Sequence, residues 1–102
     1  MSLFEGRGGI PNCQRLTVTT TGRRYGFDFT TKYIKIRVLT APCKMYFSQE
    51  DFDNDANYVL IPVPAADAPY GEWEGPVEAQ GVWLKGVGGS STVEMVVFQR
   101  RG

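Results

Sequence analysis

Apolar and polar residues alternate with a period of two in several short stretches of this chain, the pattern of strands that show opposite faces to core and solvent. The longest alternation fills the C-terminal stretch 81–100. Val82 and Leu84 alternate there with Trp83 and Lys85, and Val93, Met95 and Val97 alternate with Glu94, Val96 and Phe98. Gly88, Gly89, Ser90 and Ser91 stand between the two runs, so the pattern predicts a hairpin closed by glycine turns. One face of that hairpin is apolar. The other, with Trp83, Val96 and Phe98 beside Lys85 and Glu94, is mixed and suited to meeting a second surface.

Upstream, residues 15–21 place Leu16 and Val18 opposite threonines, and Gly22 ends that strand. The stretch 23–29 puts Tyr25, Phe27 and Phe29 on one side, with Gly26 marking a bulge or a weak point. Ile34, Ile36 and Val38 form a second apolar face, leaving Tyr33, Lys35 and Arg37 outward. After the Ala41-Pro42 break, Cys43, Met45 and Phe47 are expected to share one face of a short strand. The polar run 48–57 predicts an acidic loop with one helical turn, capped by Ser48 and pinned by Phe52. Residues 58–63 resume a strand that Pro62 assigns to an edge, and 64–70 form a Pro/Ala-rich loop. In 71–77, Trp73 faces one way and Glu72 and Glu74 the other. The sum is seven or eight short strands about ten residues apart, which predicts an all-β, single antiparallel β-sandwich or jelly-roll-like barrel. Residues 1–12, broken by Gly6, Gly8, Gly9 and Pro11, read as an extended N-terminal arm with Leu3, Phe4, Arg7 and Ile10 as its contacts, ahead of a sandwich domain over 13–102.

Composition narrows the function more than it names one. The 102 residues suit one domain with a modest core. Eleven basic residues balance eleven acidic ones, so no net field favours nucleic acid or an anionic membrane. Histidine is absent, which removes the commonest general base and metal ligand and argues against an enzyme. No apolar run approaches the ~20 residues of a membrane span. Neither does the N-terminal stretch read as a signal peptide, so a soluble protein made in a cytoplasm is expected. The two cysteines, Cys13 and Cys43, are too few for a disulfide framework and are expected to be reduced, although a single bridge would form if their strand ends lay side by side.

Candidate chemistry is thin. Asp51, Asp53 and Asp55 mimic the start of a calcium loop, but Ala56 stands at the turn glycine and Pro62 at the bidentate glutamate, so a solvated loop is expected and no cofactor or metal. Glu72 and Glu74 share one strand face, whereas glycosidase carboxylates must oppose one another across a sugar. Trp73 and Trp83 would suit a sugar platform, though tryptophans in small β domains more often serve core or interface. The pairs Arg23-Arg24 and Arg100-Arg101 suit salt bridges to a neighbouring subunit.

The order of 33–39, then 44–47 leading into Glu50-Asp51-Phe52, then 58–63, then Glu74-Gly75-Pro76-Val77 before 81–84 and the closing 92–101, resembles small β-sandwich virion proteins of tailed bacteriophages. Where that pattern often has a Pro-Gly turn after the fifth strand, Pro64-Ala65 stands here. The resemblance implies a non-enzymatic structural virion protein that stabilises the shell as a capsid decoration or cement protein. Its implied partners are the major capsid protein or other virion proteins and further copies of itself, in a homo-oligomer, with no nucleic acid and no membrane. Leu3, Phe4, Arg7, Ile10, Trp73, Trp83, Phe98, Arg100 and Arg101 would then be interface residues. A neck or tail component of the virion, or a carbohydrate-binding β-sandwich module, is the alternative.

Overall fold

The computed structural model describes residues 12–62 and 71–99. Eight strands and one short helix follow in the order β1 (Asn12–Val18), β2 (Arg23–Gly26), β3 (Thr31–Val38), β4 (Cys43–Tyr46), α1 (Gln49–Asn54), β5 (Val59–Ile61), β6 (Gly71–Gly75), β7 (Gly81–Gly86) and β8 (Ser91–Gln99). They build two four-stranded antiparallel sheets, β1-β8-β3-β6 and β2-β7-β4-β5. First strand pairs with last, second with seventh, third with sixth, fourth with fifth. Two further pairings, β3 with β8 and β4 with β7, roll that folded ribbon into a sandwich. This winding is a jelly roll, one of the architectures in which two sheets bury each other's inner face.

The inner faces hold the alternating apolar residues. Val18, Ile34, Ile36, Val38, Cys43, Met45, Ile61, Val82, Leu84, Val93, Met95 and Val97 are fully excluded from solvent, with Leu16, Tyr25, Phe27 and Phe29 nearly so. Buried polar groups are paired, as burial demands. The Thr31 hydroxyl donates to the Val77 carbonyl at 2.6 Å and accepts from the Ala79 N–H at 3.2 Å, fixing the approach to β7. The Ser91 hydroxyl donates to the Ala41 carbonyl at 2.6 Å, fixing the start of β8.

Two expectations change. The runs 81–86 and 91–99 are not a hairpin, because β7 and β8 belong to different sheets and the glycine turn crosses the end of the sandwich. Trp83 and Phe98 therefore lie on opposite outer faces instead of on one mixed face. Phe47 does not share the inner face of β4, which ends at Tyr46; Phe47 is exposed while Tyr46 is buried on the outer side. The reason is α1, which lies over that outer side and gives Tyr46 a second layer to pack against.

That helix forms where the sequence indicated. The Ser48 hydroxyl accepts from the Asp51 N–H at 3.1 Å, a cap on one of the first-turn donors that the helix cannot satisfy itself. Asp55 ends it in the left-handed region at φ 50°. Phe52 meets Tyr46 edge to face at 5.3 Å between ring centroids, and Tyr58 covers the other side of Tyr46 at 5.6 Å. Edge-to-face rings at such spacing attract through their quadrupoles. β5 is an edge strand followed by Pro62, as expected.

Candidate interaction surface

The outer face of the first sheet is a lattice of ion pairs. Register aligns Arg15, Glu94, Arg37 and Glu72 in one row across β1, β8, β3 and β6, so positive and negative groups alternate between neighbouring strands. Arg15 donates to Glu94 at 2.8 Å and Arg37 lies 3.3 Å from Glu72. Lys35 reaches Glu72 and Glu74, both at 3.5 Å. Tyr33 and Phe98 pack edge to face at 5.8 Å at one end of this face. Pairs this exposed contribute little stability each. Their consequence is electrical neutrality, since every charge of the row faces an opposite one. A shallow depression lined by Cys13, Lys35, Arg37, Glu94 and Val96 interrupts the face. Glu72 and Glu74, weighed above as acid–base carboxylates, are spent on these cations.

The outer face of the second sheet is aromatic. Trp83 is half-buried, its ring beneath the Arg24 guanidinium at 5.5 Å and its indole N–H donating to the Gln49 side-chain carbonyl at 3.1 Å. The Arg24 guanidinium also donates to the Gln80 carbonyl at 3.1 Å. Tyr46, α1 and Tyr58 complete the layer, held by Asp55, which accepts from the Tyr46 hydroxyl and from Lys44 at 3.1 Å. Lys44 in turn sits 4.3 Å over the Tyr58 ring. These donors hold the Asp55 carboxyl below the ordinary aspartate value, the Tyr46 hydroxyl first and Lys44 second. Burial pushes the Tyr46 hydroxyl well up, and its bond to Asp55 adds to that.

A carboxyl depressed in the folded chain contributes stability above its unfolded value of 3.8 and loses it as pH falls through the folded value. Acid titration followed by the Tyr46 ring resonances is therefore expected to show α1 loosening below pH 3.8. Asp55→Asn should remove that acid step. An unchanged step in the variant would assign it to another carboxylate.

Trp73 points inward from β6, opposite Ile36, and packs on the core and on Phe47 at 6.1 Å between centroids. Of the tryptophans suggested by sequence, one is thus part of the core margin and the other is covered by Arg24, and neither offers a bare sugar-stacking ring. Leu3, Phe4, Arg7, Ile10, Arg100 and Arg101 lie outside the described residues, as does the Pro64-Ala65 turn. Asp51, Asp53 and Asp55 do not converge, and among the described residues no cluster of three His, Cys, Asp or Glu side chains could hold a metal ion. No helix among them is long and apolar enough to cross a membrane.

Sequence reasoning missed the exposed apolar group. Phe47, Tyr58 and Leu60 are the large hydrophobic residues left open among the described ones, with Leu60 54% exposed. Leu60 stands opposite Lys44 on the outer side of the edge strand β5, Tyr58 lies against Tyr46 and Lys44, and Phe47, just past β4, packs on Trp73. Phe47 was legible only as a core residue, and Leu60 hid inside an apolar run whose facing is set by the edge position of β5.

Both cysteines are free thiols. Cys13 is exposed on the first sheet, whereas Cys43 is fully buried in the core and burial pushes its thiol up to about 11. Thiol titration of the native protein should modify Cys13 alone, and Cys43 should react only on unfolding. Rapid native modification of both would contradict the buried placement.

Comparison with protein-family models, with curated proteins and with solved structures finds no match to this chain.

Proposed function

We propose that the protein is a non-enzymatic structural component of a tailed-phage virion, binding the capsid shell as a decoration or cement protein. The observation that carries this reading is the set of large apolar residues left exposed, Leu60 and Tyr58 on the outer side of the second sheet and Phe47 just past β4, on a jelly roll whose first sheet pairs its outer charges with one another. Jelly rolls serve widely as viral capsid and lectin domains, an analogy of fold that favours this reading. Exposed apolar side chains suit adhesion to a protein surface. Many copies on a shell would add weak single contacts into a firm coat.

The test is a comparison of particles with and without the protein. Depleted shells should lose integrity at lower temperature or lower salt, and Leu60→Ser should reduce occupancy on the shell. Quantification by mass spectrometry separates stations: hundreds of copies per particle fit decoration, and a dozen or fewer fit a neck or tail ring. Equal survival of depleted particles would overturn the capsid role.

A further inference from the structure

A two-sheet sandwich has open edges, and each exposes unpaired main-chain groups that another strand can join. Among the described residues the four edge strands differ sharply. β5 is three residues long and runs into Pro62. β6 begins and ends with glycine, carries Glu72 and Glu74, and is followed by Pro76. β2 is four residues long with exposed Arg23 and Arg24. Shortness, proline and charge are the usual protections of an edge. β1, which follows Pro11, is the longest of the four: it runs seven residues with no proline or glycine inside the strand, and its one charge, Arg15, pairs with Glu94.

The free groups on that edge follow from the register. Thr92 accepts from the Leu39 N–H and its own N–H donates to the Thr40 hydroxyl, so the main-chain groups of Thr92 face β3. Alternation along β8 then turns Val93 and Met95 toward β1, where they meet Leu16 and Gln14. Cys13, Arg15 and Thr17 consequently point their N–H and C=O groups away from β8. The Thr17 carbonyl accepts from the Tyr25 hydroxyl at 3.4 Å. Among the described residues, Cys13 and Arg15 remain as the open pair.

We infer that β1 pairs antiparallel with β1 of a second copy of this chain, Cys13 opposite Arg15 of the partner subunit and Arg15 opposite the partner's Cys13. Each of these opposed pairs exchanges both of its main-chain bonds. Sliding the strands by one residue on each side would set Arg15 against the partner's Arg15, a like-charge contact that destabilises a sheet. The chosen register avoids it and leaves the Tyr25 contact intact. The first sheet continues across the two-fold as β6-β3-β8-β1 followed by the same strands in reverse. The arginines of β2 discourage the second sheet from doing likewise.

In this register the two Cys13 side chains share a face as diagonal neighbours, about 7–8 Å apart. Sedimentation equilibrium of the full chain from micromolar to millimolar concentration should show a dimer. A bis-maleimide with a spacer of about 8 Å, matched to that diagonal separation, should trap it through Cys13. Cys13→Ser should keep the dimer and abolish trapping. Cys13→Pro removes a free-edge N–H without touching the β8 ladder, so it should raise the dissociation constant about tenfold or more while leaving the melting temperature, measured at concentrations well below that constant, unchanged. A monomer at every concentration would overturn the inference, as would a dimer that the short linker cannot trap in the otherwise unaltered protein.

Discussion

Gly86→Ala is expected to destabilise the protein by about 2 kcal/mol or more, whereas Gly89→Ala, three residues away, should be neutral or stabilise it by up to ~1 kcal/mol. A Cβ on Gly86 would lie 2.5 Å from the Gly89 carbonyl oxygen and 3.1 Å from that of Val18. Both are main-chain atoms and cannot swing aside. The same glycine donates its N–H to the Thr19 carbonyl at 2.9 Å, tying the end of β7 to the exit of β1 where the chain crosses between sheets. A Cβ on Gly89 meets nothing within 4 Å, and its backbone is not in the left-handed region. Alanine there only narrows the unfolded ensemble. Urea unfolding of both variants measures the contrast directly, and equal midpoints would refute the close packing at the crossover.

Ile36→Ala should cost about 2–5 kcal/mol, the range for emptying a core position that cannot collapse. Ile36 is fully buried at the middle of β3, with Met95 beside it on β8 and Trp73 beside it on β6. Neighbours on both sides are held by main-chain ladders, so little relaxation can refill the space. The urea midpoint should fall with the slope unchanged. Val96→Ala, on the outer face of the adjacent strand and half-exposed, is the control and should stay within about 0.5 kcal/mol. A loss below ~1 kcal/mol for Ile36→Ala would mean that the sheets are not closely packed there.

Strand positions were legible because alternation is local. Ile34, Ile36 and Val38, or Val93, Met95 and Val97, declare their inward face from sequence alone, and the structure buries each of them. Ser48 declared its cap for the same reason. Pairing partners were not legible, because alternation says which way a side chain points and nothing about which strand lies beside it. Gly88 and Gly89 announce a reversal, yet the step from 86 to 91 leads to the opposite sheet. The row of Arg15, Glu94, Arg37 and Glu72 joins residues from four separate strands, so the balanced composition gave no hint of its order. Alternation with Cys43 and Met45 turns Tyr46 away from the core face, and only the docking of α1 makes that side interior. The exposed apolar residues escaped notice because Leu60 and Phe47 look, one residue at a time, like core.

The pairing of β1 with β8 also governs how the chain is born. β1 leaves the ribosome well before its partner β8, which is made about seventy residues later at roughly 5–20 residues per second. β3 waits for the same strand on its other side. Until β8 is made, β1 lacks its partner and β3 lacks one of its two, so the first sheet cannot close before that strand arrives. A nascent chain stalled before Ser91 would hold its core half open, ready for any strand that arrives first.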